Sequence, residues 1–190
     1  SARVGAIVSI DPDQRLRARG PSPRLNIVLV EPEIPPNTGN IARLCAATDS
    51  ILHLVHPLGF DVSDKAVRRA GLDYWHLVQV TQHPSFDAFV SSLPKDARLH
   101  LFSGKATQSY LRVSYAPSDY LVFGRESSGL SSEVLERFAD RLLGIPTLGK
   151  VRSLNLANAA ALGIYEALRQ LGALDDVALI DKSADPAAAD

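Results

Sequence analysis

Three stretches join an apolar run to a helical pattern through residue types that hold ligands: "EPEIPPNTGNIAR" from Glu31, "FGRESSGL" from Phe123 and "GIPTLGKVRSLN" from Gly144. Gly, Pro, Asn and Ser allow tight turns and leave backbone N–H groups open to a ligand. The first stretch adds Arg43 early in the helix that follows. A turn with free N–H groups and a nearby guanidinium suits a phosphate-bearing ligand. A fourth stretch, "DKAVRRAGLDYW", sets Lys65, Arg68 and Arg69 at i, i+3 and i+4, one side of a helix, with Tyr74 and Trp75 beyond. Cations beside aromatic rings fit an RNA backbone with unstacked bases. The same pattern also describes an ordinary solvated helix face.

Familiar catalytic motifs do not account for these stretches. Only Gly39 follows the first strand-like run, where a dinucleotide fold needs G-x-G-x-x-G. "GIPTLGKV" matches the phosphate-loop pattern through Gly144, Gly149 and Lys150 but has Val151 where the magnesium-binding hydroxyl belongs. "GRESSG" has one residue too many between Gly124 and Ser127 for a nucleophile elbow, which removes support for a hydrolase. His53 and His56 stand three apart in a strand-like run, so alternation sends them to opposite faces rather than to one metal.

The elements that must carry these stretches read as alternating strands and helices. Strands are expected over Leu25–Val30, Ile51–Val55, Leu77–Val80, Arg98–Phe102, Tyr120–Phe123 and Leu142–Ile145. Helices are expected over Gly39–Thr48, Asp64–Ala70, Ser85–Ser92, Ser131–Ala139 and Asn155–Leu171. Apolar strands joined by helices indicate an α/β fold with a mostly parallel sheet flanked by helices. In such sheets ligands bind beyond the carboxyl ends of the strands, where the three stretches fall.

Composition narrows the class. With 190 residues, 46% of them hydrophobic, the chain can bury one core. A net charge of -1 argues against bulk electrostatic binding to nucleic acid and leaves a local basic patch as the route to RNA. The single cysteine, Cys45, lies in an apolar helical pattern, which excludes a disulfide framework and a cysteine-rich metal site and fits a reducing cytoplasm. No run of 18 apolar residues is present to span a bilayer. Residues 1–24 are expected to be a flexible N-terminal extension lacking the apolar core of a signal peptide, and 25–174 the folded domain. Residues 175–190, ending in "ADPAAAD", are expected to be a disordered tail.

Together, "LNIVLVEPEIPPNTGNIARLCAAT", "HPLGF" followed by "DKAVRRAGLDYW", "DYLVFGRESSGL" and "IPTLGKVRSLNLANAAALGIYEALRQLG" resemble the SPOUT superfamily of RNA methyltransferases. Within it the likeness is to the TrmL-type tRNA (cytidine/uridine wobble-nucleotide) 2′-O-methyltransferases, with the motifs in order over residues 25–172. The resemblance implies S-adenosylmethionine-dependent methylation of a ribose 2′-hydroxyl at the anticodon wobble position, in the cytoplasm and without a metal. It implies a homodimer with the active site at its interface. It also implies a C-terminal trefoil knot, an exception to the rule that chains do not knot.

Carried over by position, the resemblance assigns Arg43 and Asn37 to the catalytic motif, with Glu126, Ser153 and Asn155 converging from the other two loops. Phe102, Gly124, Ile145, Ser153 and Leu154 fall at cofactor-binding positions, where aliphatic side chains can sandwich an adenine and peptide groups read its edge. Lys65, Arg68 and Arg69 become candidates for the tRNA anticodon loop. The Arg43 guanidinium suits clamping phosphate and stabilising a developing alkoxide, and is a poor general base because arginine stays protonated. Other roles suit some of these residues: core for Ile145 and Leu154, a helix cap for Asn37, a scaffold partner of Arg43 for Glu126. Small residues in the last helix, Ala157, Ala160, Ala161 and Gly163, fit either a dimer contact or burial in the chain's own core.

The pattern departs from the family at Arg125, where relatives tend to carry Pro, at Ser128, where they carry Arg, and at "GKVRS", where they carry a Pro-Asp-Ser-Arg-Ser-like run. Those positions bear on which tRNA is chosen. A sister SPOUT enzyme acting on another tRNA position or on ribosomal RNA would show the same loops, usually with an added RNA-binding domain. A non-catalytic RNA-binding module is the third option.

Overall fold

Every residue of Asn26–Val30 is buried, which a strand tolerates only when both faces of its sheet are covered. In the computed structural model, which describes residues 11–63, 74–181 and 183, this strand, β2, is one of seven in a parallel sheet. The others are β3 (Ile51–Val55), β4 (Val80–His83), β5 (Leu99–Phe102), β6 (Gln108–Ser109), β7 (Tyr120–Phe123) and β8 (Leu142–Gly144). Their order is β4-β3-β2-β7-β5-β8-β6, and each neighbouring pair is parallel. The helix expected over Asp64–Ala70, with Lys65, Arg68 and Arg69, lies outside the described residues.

Alternation along the strands sorts the core into two layers. Ile27, Leu29, Leu52, Leu54, Leu121 and Phe123 face α1 (Pro35–Thr48) and α4 (Leu156–Gln170), which contribute Ile41, Cys45, Ile164 and Leu168. Val28, Val30, Val55, Leu101 and Val122 face α2 (Phe86–Ser91) and α3 (Ser132–Arg137) through Phe89 and Val134. The small residues of α4 serve this core: Ala160, Gly163 and Ala167 are buried, and a Cβ added at Gly163 would come 2.8 Å from the Phe102 ring. Burial also pushes the Cys45 thiol up to about 12, so it is a packing group.

Several expected elements shift. α1 begins at Pro35 rather than Gly39, because prolines fit a first turn whose N–H groups have no intrahelical acceptor. The run from Leu77 does not open a strand. Trp75–Leu77 forms a short 3-10 turn that packs Trp75 on the core, and β4 starts at Val80, opposite Leu52. The chain ends also differ from the extension and tail that were expected. β1 (Gln14–Ala18), within 1–24, pairs antiparallel with β9 (Val177–Asp181), within 175–190, placing Leu16 opposite Leu179. The backbone hydrogen bonds of one strand are completed by the other, which ties down segments whose composition alone looks loose.

His53 lies inside a polar network near the amino end of β2. Asn26 Nδ2 donates to Ser118 O at 2.9 Å, so Asn26 Oδ1 accepts from His53 Nε2 at 3.0 Å. His53 Nδ1 then accepts from His83 Nε2 at 3.0 Å. Burial, with His83 as a second cause, holds His53 down to about 4. Among the described residues no group of three His, Cys, Asp or Glu side chains is placed to hold a metal. No described helix is long and apolar enough to cross a membrane.

Candidate active site

The parallel neighbours β2 and β7 deliver two of the chemically equipped turns side by side at their carboxyl ends. The Glu126 carboxylate, half-buried after β7, accepts hydrogen bonds from Glu33 N at 2.8 Å, Ile34 N at 3.2 Å and Asn37 Nδ2 at 3.1 Å. Asn37 Oδ1 accepts from Asn155 Nδ2 at 3.0 Å. Asn155 Oδ1 in turn accepts from Ala157 N at 2.9 Å and Asn158 N at 3.3 Å, capping α4. The three loops are therefore joined by one directed chain of hydrogen bonds, Asn155 to Asn37 to Glu126, with both amide orientations fixed by their partners.

This chain explains why Asn37 is not the cap of α1. The helix opens with Pro35 and Pro36, which have no N–H for a cap to satisfy, and Asn37 sits inside its first turn. Its amide, only 7% exposed, is free to bridge Glu126 and Asn155. The helix that carries Asn37 is tied to α4 by the same bond and by direct packing of the two elements.

Arg43 is not part of the chain. Six residues beyond Asn37, it lies about 9 Å further along the helix axis. Its side chain is exposed, and the guanidinium stacks over the Tyr74 ring at 4.7 Å from the centroid. The scaffold pairing of Arg43 with Glu126 is not formed. Instead, the arginine lies over an aromatic ring, that of Tyr74.

The positions assigned to cofactor divide into side chains that belong to the core and main chain that borders the site. Phe102 ends β5 with its ring buried, stacked on Phe123 at 4.6 Å, so only its backbone remains for a ligand. Gly124 has a local reason for its bare Cα: a Cβ there would lie 2.2 Å from the Gly129 carbonyl carbon. That close approach lets Arg125 and Gly129 exchange N–H···O bonds of 3.1 and 2.9 Å, closing the loop on itself. Ile145 is half-buried against the main core, Leu154 half-buried and Ser153 exposed. The β5 and β8 exits meet, Gly104 lying against the Arg152 carbonyl.

The donor set of these exits fits a ligand that carries both a carboxylate and an adenine. Residues 103–107 and 144–155 supply Lys105, Lys150 and Arg152 and no Asp or Glu. The same segments offer aliphatic Ile145, Leu148, Val151 and Leu154, with Leu148 and Val151 exposed.

Two acidic residues of this region, Glu31 and Glu33, were not singled out in the sequence. Glu33 accepts from Ser127 N at 3.0 Å and Ser127 Oγ at 2.9 Å. Arg125 forms an ion pair with Glu31, which ties the same two turns. The acidic pair in "EPE" was visible, but its partners lie over 90 residues away and become neighbours only through β2–β7 pairing.

A parallel α/β sheet with joined polar loops beyond β2, β7 and β8 defines a class of ligand-binding enzyme folds, and comparison with known proteins names it. Residues 24–165 match the model of the SpoU rRNA Methylase family, and the chain belongs to that family. A relative from Saccharophagus degradans, a tRNA (cytidine(34)-2'-O)-methyltransferase, is 53% identical over 148 residues, covering 77% of this chain and 96% of its own. A solved structure described as "Structural insights into the 2-OH methylation of C/U34 on tRNA" is 50% identical with a TM-score of 0.74, covering 78% of this chain and 97% of that one. An AdoMet-bound rRNA methyltransferase from Sinorhizobium meliloti is 25% identical with a TM-score of 0.69, covering 78% of this chain and 57% of that one.

Proposed function

We propose that this chain transfers a methyl group from S-adenosylmethionine to the ribose 2′-hydroxyl of the wobble nucleotide, cytidine or modified uridine 34, of tRNA. The observation that carries the reading is the Asn155–Asn37–Glu126 chain, which binds three strand exits into one rigid platform. The relatives of about half identity described as C34 and C/U34 methyltransferases support the substrate.

The cofactor, when bound, supplies an activated methyl group on a sulfonium. The backbone at Phe102 and Gly124, with Ile145, Ser153 and Leu154, would hold it, and the cations Lys105, Lys150 and Arg152 suit its carboxylate. Transfer then depends on placing the 2′-oxygen in line, where positioning contributes most of the gain. Arg43 can grip the adjacent phosphate and stabilise negative charge developing on that oxygen, with Tyr74 behind it limiting its rotamers. Asn37, Glu126 and Asn155 serve by fixing the turn from which α1 and Arg43 extend.

The remaining features of the reading are of one piece with it. Lys65, Arg68 and Arg69 receive the anticodon loop beside Tyr74 and Trp75. The C-terminal part is knotted, a reading supported by β8 lying between β5 and the earlier β6. The enzyme is a cytoplasmic homodimer whose contact uses the exposed Leu162 and Tyr165 of α4, and residues 25–174 carry the chemistry. Incubation with labelled S-adenosylmethionine and total tRNA, followed by mapping of the modified nucleotide, tests the proposal. A 2′-O-methyl product at position 34 is expected. Product elsewhere would move the assignment to a sister specificity, and no product would overturn it.

A further inference from the structure

We infer that Glu33 is a positioning residue for the methyl transfer, clasping the cofactor-side loop after β7 to the substrate-side turn after β2 through Ser127. The inference rests on the methyltransferase reading above and deepens it. Glu126 reaches from the first loop to the main chain of the second, accepting from Glu33 N at 2.8 Å and Ile34 N at 3.2 Å. Glu33 reaches back, accepting from Ser127 N at 3.0 Å and Ser127 Oγ at 2.9 Å. Each loop thus offers its carboxylate to the backbone of the other. Without Glu33 the loops would be joined by one carboxylate on backbone and by the more exposed side-chain ion pair of Arg125 with Glu31, rather than by two carboxylates on backbone. Two, at adjacent points and in opposite directions, fix separation and orientation together.

The post on which the clasp hangs is itself held from behind. Gly59 N donates to Pro32 O at 2.9 Å, and the Glu33 backbone lies so close to Gly59 that a Cβ added there would come within 2.8 Å of it. The loop it holds, by contrast, is exposed from Ser127 to Gly129; beyond the Arg125–Gly129 bonds that close it on itself, its other ties to the turn after β2 are Glu126 and the Arg125–Glu31 ion pair, both before Ser127. Loosening the clasp therefore displaces the loop at Gly124 relative to Asn37 and Arg43 on α1. A displacement of about 1 Å at a reacting centre can cost on the order of 100-fold in rate.

The clasp works through geometry, and side-chain chemistry separates it from a charge effect. Glutamine at position 33 can accept the Ser127 N–H with its carbonyl and donate to Ser127 Oγ with its amide, whereas alanine can do neither. The test measures kcat, KM and amide hydrogen exchange over residues 124–130 in the full chain, comparing wild type with Glu33→Gln, Glu33→Ala and Ser127→Ala. Glu33→Ala is expected to lower kcat about 10- to 100-fold while KM for S-adenosylmethionine stays within about threefold, and to lose protection at the Ser127 amide. Glu33→Gln should recover most of the rate. Ser127→Ala, on an exposed residue that does not threaten folding, should fall between and add nothing in the Glu33→Ala background. An unchanged kcat in Glu33→Ala, a Gln variant as slow as the Ala variant, or unaltered exchange at Ser127 would overturn the inference. Absence of transfer by the wild-type chain would overturn the methyltransferase reading instead, and the exchange measurement would still judge the clasp.

Discussion

Replacing Glu126 by glutamine changes one atom and should break the platform. Both carboxylate oxygens are acceptors: Oε2 takes the Glu33 N–H, and Oε1 takes Ile34 N–H and Asn37 Nδ2–H. An amide nitrogen cannot accept, so either orientation of the glutamine sets an N–H against an N–H. The less costly orientation gives up the 2.8 Å bond from Glu33 N and keeps the other two with a neutral acceptor. A hydrogen bond to a charged group contributes about 1.5–3 kcal/mol, and water at this half-buried site recovers part of it. The expected loss is about 2 kcal/mol, roughly 30-fold in the folding equilibrium. Urea denaturation should show a lower midpoint with an unchanged slope, and the methyl-transfer rate should fall at least about tenfold because the turn after β2 loses its bond at Glu33 N and Asn37 is left on a neutral, weaker acceptor. A glutamine variant within about 0.5 kcal/mol of wild type and equally active would refute the reasoning, since surface substitutions without a role fall in that range.

Three further outcomes follow from the same structure. Asn37→Asp would set a second carboxylate against Glu126 Oε1, 3.1 Å from the present amide, so the pair should take up a proton with a raised pKa in the folded state. The variant's stability deficit should then shrink as pH falls below neutrality, and a deficit independent of pH would contradict the contact. Gly124→Ala would drive its Cβ into Gly129 backbone at 2.2 Å, so stability should drop by about 1–3 kcal/mol and calorimetric binding of S-adenosylmethionine should weaken. Wild-type affinity and stability in that variant would remove the packing argument. His53 stays neutral in the fold down to about 4 but accepts a proton near 6.5 when unfolded, so stability is fully present above 6.5 and declines as pH falls toward 4. The decline attributable to it approaches about 3 kcal/mol and should appear in the difference between the wild-type and His53→Gln stability curves; a variant whose stability falls with pH just as wild type does would contradict it.

The strands and their exits were legible because β2, β3, β5 and β7 are short apolar runs covered on both faces, the one strand pattern that needs no partner to be recognised. Pairing was not legible. "QRLRA" and "VALID" form a ribbon across most of the chain's length, and nothing local in either stretch names the other. The same limit applied to the site. Asn37, Glu126 and Asn155 were found by resemblance and meet in the structure, but the direction of their hydrogen bonds follows from two prolines freeing the Asn37 amide. Glu33 was missed because its role is written in Ser127, which becomes its neighbour only when β2 and β7 pair. Arg43 shows the converse. Its position in the motif was plain, yet its stacking partner Tyr74 lies in a different segment and its exposure could not be read from the helix pattern.

The central claim is that the acceptor atom is the 2′-oxygen of nucleotide 34. The most direct measurement pairs two tRNA substrates identical except at that position, one with cytidine and one with 2′-deoxycytidine, and follows the nucleoside at 34 by mass spectrometry after incubation with S-adenosylmethionine. The account predicts one added methyl group on the ribose of the first and none on the second. Equal methylation of both, or methylation of the base, would contradict it.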